Sequence, residues 1–337
     1  MGLRAGTTPA QAAPHRIGGY MWYKIVLILI ILILFFVAVM VIDNHRFVVR
    51  RYTLRSKRIR YPVRFVFVAD LHEKSYGKEN EALVDAIAAL SPDAVLVGGD
   101  LIVSGRIKRE AARKNGDAEP GPSDTNWMKH SLSFVKRLAR ISDVWFVAGN
   151  HEARLSYYEE FRPYDRVFQE EMERAGVHFL HNRRVDPFAQ AHDGEASGIR
   201  LCGLELPMRY YKKFTKTALS NEDLFAMLGT ADPNVYTVLL THTPVYFEQY
   251  AEWGADLCLC GHVHGGLMRL PFIGGVMGTR PNLFPKYSGG LYSYPKGDGG
   301  GESSTLVLTC GLGMHTLPIR IFNPGEISYI DLLPEQQ

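Results

Sequence analysis

Five separated fragments of the chain carry residues able to do metal chemistry. They are Asp70-Leu71-His72, Gly98-Gly99-Asp100, Gly149-Asn150-His151-Glu152, Thr241-His242 and Gly261-His262-Val263-His264. Each supplies Asp, His or Asn, the oxygen and nitrogen donors that hold divalent transition metals. Asp70 and His72 are two apart, so at the extended end of a strand both can face one side. Asp100 follows two glycines that let the backbone turn sharply. Its two carboxylate oxygens can each take a metal. Asn150 offers a neutral carbonyl oxygen, and His242, His262 and His264 offer imidazole nitrogens. Gly261, Gly265 and Gly266 let the chain crowd close to a metal. Taken singly, Asp-x-His is a cap or a surface turn and Gly-Gly-Asp is a turn. Taken together and in this order, the five read as one site.

The chemistry that such a set supports is hydrolysis of an anionic ester. Two divalent cations held by two aspartates leave a net positive centre, suited to a phosphate. Two metals ~3.5–4 Å apart lower the pKa of a bridging water and clamp the attacking and departing oxygens.

Elements must bring these fragments together. Most follow a short apolar run rich in Val, Phe and Leu, and ligands at the ends of several strands converge on one crevice. Strands are predicted over Val63–Ala69, Ala94–Val97 and Val144–Ala148, then over Ile199–Leu206, Val235–Leu240, Leu257–Cys260, Ser304–Cys310 and Ile319–Leu333. Helical spacing is read in Asn80–Leu90, Trp127–Leu138 and Phe161–Ala175. Alternating strand and helix first, with strands dominating later, implies an α+β fold of two packed sheets with helices outside. Arg106–Asp124 is polar and reads as an inserted solvated loop, with a substrate-facing lid as the alternative.

The N-terminal region has another character. Residues 1–20 are rich in Gly, Ala, Thr and Pro and read as a mobile tail. Ile25–Ile42 is an unbroken apolar run preceded by Trp22 and Tyr23. At 1.5 Å per residue it spans roughly 27 Å, one hydrocarbon core. Residues 21–43 are therefore expected to be a transmembrane anchor. A cleaved signal peptide would have a shorter apolar core followed by a small-x-small site. Arg46, Arg50, Arg51, Arg55, Lys57, Arg58 and Arg60 follow the run, against Arg4, Arg16 and Lys24 before it. This excess leans toward a cytoplasmic catalytic domain. The same charges read equally well as a folded, solvated surface or as contacts to anionic headgroups.

The chain has 337 residues and a net charge of +3, too small to specify a partner. Its four cysteines are too few for a disulfide scaffold. Cys258, Cys260, His262 and His264 share one parity, but a linear run does not wrap a tetrahedral metal, and the two cysteines read as buried strand residues. His130, His178, His181, His192 and His315 match no block and read as surface or core histidines.

The order Asp-x-His, Gly-Asp, Gly-Asn-His-Glu, His, Gly-His-x-His resembles the calcineurin-like metallophosphoesterase superfamily, over roughly Ile59–Leu333. The ending Gly311-Leu-Gly-Met-His-Thr-Leu-Pro-Ile-Arg320 is similar to the membrane-associated branch that includes the bacterial YkuE- and YaeI-type phosphoesterases. The resemblance implies a four-layer αββα fold and two divalent metals, manganese, iron or zinc. It implies Asp70, His72 and His264 on the first metal, Asn150, His242 and His262 on the second, and Asp100 bridging. His151 would contact the phosphate and protonate the leaving oxygen, with Glu152 orienting its ring. Two positions depart from the pattern. Leu101-Ile102-Val103 follows Asp100 where a polar residue is common, and Leu267 stands where this branch often has Gln.

The expectation is thus a membrane-anchored hydrolase of phosphodiesters, phosphomonoesters or pyrophosphates, with residues 47–337 as its catalytic domain. Its partners would be a phosphate ester and the lipid bilayer, and a lipid-linked substrate is suggested by location alone. The alternative is a metal-stabilised scaffold without catalysis. A nuclease is disfavoured because no aromatic stacking platform is evident.

Overall fold

The computed structural model describes residues 17–107, 123–188, 196–212, 217–279, 282–296, 302–314 and 317–335. Most of the 106–124 loop, His192 and His315 lie outside the described residues.

Two six-stranded sheets form the centre. Val63–Val68 (β2), Ala94–Val97 (β3), Asp143–Phe146 (β4) and Val177–Phe179 (β5) run parallel in the first sheet. Phe47–Ser56 (β1) and Gly325–Pro334 (β14) complete it, in the order β1-β14-β2-β3-β4-β5. The second sheet has the order β12-β13-β9-β8-β7-β6. Its strands are Arg184–Val185 (β6), Ile199–Leu204 (β7), Tyr236–Thr241 (β8), Leu257–Cys260 (β9), Gly290–Pro295 (β12) and Ser303–Leu308 (β13). Here β7, β8, β9 and β13 are parallel. A short hairpin, Arg269–Leu270 (β10) with Gly274–Gly275 (β11), stands apart from both sheets.

The period of two explains the layering. In β2, Phe65 and Phe67 point into the core between the sheets, whereas Val66 and Val68 point outward. In β9, Leu257 and Leu259 enter that shared core, whereas Cys258 and Cys260 face outward. Strands buried on both faces read as continuous apolar runs, as here. Helices Glu81–Ala88 (α2), Lys129–Leu138 (α3) and Arg162–Arg174 (α5) cover the outer face of the first sheet. Asn221–Leu228 (α6) and Phe247–Trp253 (α7) cover the second. The result is two sheets flanked by helices, as expected.

Several boundaries differ from the sequence reading. The last strand begins at Gly325 rather than Ile319. Residues before it hold a buried arginine, Arg320, which no strand pattern accommodates. Phe47–Val49 and Tyr52–Leu54 belong to one strand, paired in parallel with β14 from Phe47↔Gly325 to Ser56↔Pro334. That pairing absorbs the basic stretch into the fold. Arg50 pairs with Glu326 at 3.0 Å, Arg51 lies over the Tyr329 ring, and Arg58 pairs with Asp256 at 2.7 Å.

Ahead of β1 runs the helix Ile17–His45 (α1), whose span Met21–His45 contains an 18-residue window of mean hydropathy 3.8 and is long and apolar enough to cross a membrane. Its apolar side chains are exposed along nearly all of the described length. At its end, Asp43 is buried and accepts from the Asn323 N–H at 2.8 Å.

Candidate metal centre

The site lies where the carboxyl ends of parallel strands from both sheets meet. Asp70 and His72 follow β2, Asp100 follows β3, and Asn150 and His151 follow β4 at the start of helix Asn150–Tyr157 (α4). His242 follows β8, and His262 and His264 follow β9. Each chain must leave its strand abruptly. Asp70, His72, Asp100, His262 and His264 all have positive φ, between 49° and 74°. Such conformations cost non-glycine residues on the order of 1–3 kcal/mol each and persist at sites that the surroundings over-determine. Glycine permits the close approach. A Cβ on Gly149 would sit 2.3 Å from Asp100 Oδ1, and one on Gly261 would sit 2.6 Å from Asp70 Oδ2.

All the acidic and imidazole residues of the five fragments except Glu152 fall in one cluster. Asp70, His72 and His264 form one group whose ligand atoms lie within 4.8 Å of one another, and Asp100, His242 and His262 form another. Asp100 faces both, with Oδ2 3.2 Å from His242 Nε2 and 3.8 Å from His72 Nε2. A third group joins His151 to His72 and Asp100.

Hydrogen bonds assign the ring protons. His72 Nδ1 donates to the Ile102 carbonyl at 3.2 Å, His242 Nδ1 to that of Gly98 at 2.7 Å, and His264 Nδ1 to that of Gly313 at 3.1 Å. A carbonyl only accepts, so each Nδ1 carries the hydrogen and each Nε2 turns a lone pair to the centre. His72 Nε2 and His264 Nε2 then face one another at 3.3 Å. Two lone pairs so placed repel, and a shared cation relieves them; donors on one ion with bonds of ~2.1 Å lie roughly 3 Å apart. His262 Nδ1 lies 3.1 Å from His242 Nε2 on the other side. Asn150 Oδ1 is buried with no hydrogen-bond partner among the described residues. The donor set therefore fits two divalent cations.

His151 has the opposite polarity. Its Nδ1 accepts from the Ser104 N–H at 3.1 Å, so its Nε2 carries the hydrogen. An N–H is a donor and not a metal ligand. This bonding leaves Nδ1 without a proton.

Electrostatics agree with a cation site. Burial lowers the His242 pKa, but the adjacent Asp100 carboxylate overrides it and pushes His242 up to about 9, so Nε2 favours a positive charge, a proton or a cation in its place. Burial pushes Asp70 up to about 7, against the pull of His242. Two carboxylates shut away from water thus draw positive charge to one point.

Glu152 acts elsewhere than expected. Its carboxylate accepts the N–H groups of Asp100, Leu101 and Gly149 at 2.8, 2.9 and 3.0 Å. It clamps the loop that carries Asp100 and leaves the His151 ring to Ser104. The apolar Leu101-Ile102-Val103 departure is also resolved, because the Ile102 contact to His72 uses a backbone carbonyl and Ser104 supplies the polar group. Asn323 and Arg320 were missed. Asn323 Nδ2 donates to the His264 carbonyl at 2.7 Å. Arg320 is fully buried and donates to the carbonyls of Cys310, Gly311, Gly313, Asn323 and Pro324. The only sequence signal was Arg320 closing the Gly311–Arg320 motif. Tyr211 was missed as well; its ring lies 5.6 Å from that of His262. His178 and His181 pair instead with Asp143 and Glu205, and Cys258 and Cys260 are buried, as expected.

Known proteins resemble this chain in sequence. The calcineurin-like phosphoesterase profile matches residues 63–266. A metallophosphoesterase of Helicobacter pylori is 25% identical over 279 residues, covering 82% of this chain and 61% of that protein. The chain thus spans about three fifths of that relative's length. The metallophosphoesterase YkuE of Bacillus subtilis is 30% identical over 114 residues, 34% of this chain and 37% of that protein. The phosphodiesterase YaeI of Escherichia coli is 23% identical over 220 residues, 63% of this chain and 64% of that protein. The profile takes in all five candidate fragments, and the chain belongs to the calcineurin-like phosphoesterase family.

Proposed function

We propose that this protein is a membrane-anchored hydrolase of phosphoric ester or pyrophosphate bonds that works with two divalent cations. The reading rests on the opposed polarity of the imidazoles: three present lone pairs to two buried aspartates, and His151 presents an N–H to the same space. Asp70, His72 and His264 would hold one cation, Asn150, His242 and His262 the other, and Asp100 both. Manganese, iron and zinc all suit these donors. When bound, the cations supply Lewis acidity and an acidified water.

The chain's own groups do the rest. Asp70 and Asp100 fix the charge of the centre, leaving it net positive toward an anionic ester. Glu152 holds the Asp100 loop rigid. His151 Nε2–H donates a hydrogen bond to a phosphoryl or departing oxygen, where negative charge grows in the transition state. Full proton delivery would require a second proton on Nδ1, which the Ser104 N–H opposes. We therefore assign His151 the hydrogen-bonding role. In this reading residues 47–337 form the catalytic domain and α1 is the anchor, and the basic excess after α1 leans toward a cytoplasmic domain.

The test is hydrolysis of bis(p-nitrophenyl) phosphate with manganese, iron(II) or zinc added in turn, with metal content measured alongside. We expect His151→Ala to keep its metal and to lose about 10²–10³ in kcat. Asp100→Asn should lose both metal and turnover. Equal metal loss in the two variants would contradict the role of His151. No turnover with any metal would leave the scaffold reading standing.

A further inference from the structure

We infer that a set of exposed apolar side chains on the rim of the metal centre inserts into the lipid bilayer, so that the centre takes phosphate esters of amphiphiles while they remain in the membrane. The substrate half of this inference rests on the phosphoesterase reading; the membrane-contact half does not.

Three phenylalanines carry it. Phe272, Phe284 and Phe322 are exposed, and their φ angles are 67°, 51° and 52°. A bulky residue at positive φ is a conformational outlier. Here the strain holds aromatic rings out of the fold rather than into it. Ile273, Leu283 and Leu317 are exposed on the same loops. Contiguous exposed apolar surface marks a contact site.

The position of Phe322 names the occupant. Its ring lies 6.4 Å from that of Phe35 and 6.3 Å from that of Phe36, both on α1. The apolar run of α1 continues to Ile42, so Phe36 lies roughly 9 Å inside its end. If α1 spans a bilayer, Phe322 lies beside it at that depth and meets acyl chains rather than water. Arg46, half exposed at the foot of the helix, stands at headgroup level.

The other two rings belong to the same unit. Met268 and Ile321 form a parallel bridge, and the Arg269 N–H donates to the Ile321 carbonyl at 3.0 Å. Beyond that bridge the two chains head the same way, toward Phe322 and the β10–β11 hairpin tip with Phe272. The Phe284 N–H donates to the Val276 carbonyl at 2.9 Å, joining the third ring to the hairpin. The unit is also built on the metal motif. Met277 N–H donates to the Gly266 carbonyl at 3.2 Å, and Asn323, next to Phe322, donates to the His264 carbonyl at 2.7 Å. What holds His264 in place thus also sets the height of the centre above the bilayer.

The experiment uses the full chain with Phe272→Cys labelled with an environment-sensitive nitrobenzoxadiazole. The four native cysteines are buried, which directs the label. In vesicles of equal parts phosphatidylcholine and phosphatidylglycerol we expect blue-shifted emission, quenched by lipids brominated on the acyl chain. The same label at Phe225→Cys, exposed on α6, should read as aqueous. Aqueous emission from position 272, or a shift that bromolipid does not quench, as when a second copy or another protein covers the patch, overturns the membrane contact. For the substrate half, Phe272→Ser combined with Phe284→Ser should lower turnover of phosphatidic acid in these vesicles about tenfold. Its turnover of bis(p-nitrophenyl) phosphate should be unchanged. Equal effects on both substrates, or hydrolysis of the soluble diester without any of phosphatidic acid, overturns it. Absence of turnover on both by the unaltered protein defeats the phosphoesterase reading, while the fluorescence still decides the membrane contact.

Discussion

Glu152 and His151 are adjacent in sequence and opposite in task. His151 points its N–H into the space between the aspartates, whereas Glu152 turns away to gather backbone donors from the Asp100 loop. Replacing that carboxylate by an amide puts an NH₂ group against backbone N–H groups. We expect Glu152→Gln to cost about 2 kcal/mol of stability, as hydrogen bonds to a charged acceptor are lost in a buried site. Metal occupancy should fall with it, although Glu152 meets Asp100 only through the backbone N–H. Denaturant midpoints and metal content would check this. A variant with full metal content and unchanged midpoint would show that the Asp100 loop holds its shape unaided. The adjacency was visible in the sequence, but the assignment of Glu152 to the ring of His151 was not correct. Side chains one apart on a helix start diverge, and only the tertiary contact selects what each meets.

At the level of elements, the loops after β3 and β4 press against each other through glycine. Gly149→Ala would place its Cβ 2.3 Å from Asp100 Oδ1 and 2.7 Å from the Asp100 nitrogen. Neither is the far end of a flexible chain, so the loop must move. We expect this variant to lose metal and activity while its circular dichroism keeps the signature of both sheets. Gly105→Ala, where a Cβ meets nothing within 4 Å, serves as the control. Equal activity in the two would mean that Asp100 does not need its present position. The strands that end at these loops were readable from their apolar runs, because β2, β3, β8 and β9 are buried on both faces. The overreach at residues 319–324 has a physical cause. Ile319, Ile321 and Phe322 look like strand residues, yet Ile321 makes only an isolated bridge to Met268, Phe322 lies beside α1, and the buried Arg320 stands between them.

Across the whole molecule, the donors come from both sheets. Asp70, His72, Asp100 and Asn150 leave the first, and His242, His262 and His264 leave the second. Bound cations would therefore fasten the sheets together in addition to their shared apolar core. Each ion at 100 times its Kd adds about 2.7 kcal/mol to the folded state. Chelation is expected to lower the thermal midpoint of the unaltered protein and to leave that of Asp100→Asn nearly unmoved. Differential scanning fluorimetry with and without chelator would measure this, and a midpoint indifferent to chelator in both would argue against the fastening. The N-terminal apolar helix extends the same logic outward, since Asp43 at its foot holds Asn323, and Asn323 holds the backbone of His264.

By itself the sequence marked the candidate donors, the strand ends that carry them, the two-sheet layering and the apolar helix. All of these are written in residue type and short-range period. Tertiary structure alone decided which imidazoles present lone pairs and which presents a hydrogen. That choice is made by the carbonyls of Gly98, Ile102 and Gly313 and the N–H of Ser104. It likewise decided that Phe322 lies alongside α1. Backbone groups are the same at every residue, so their partners leave no mark in the chain until folding brings them within reach.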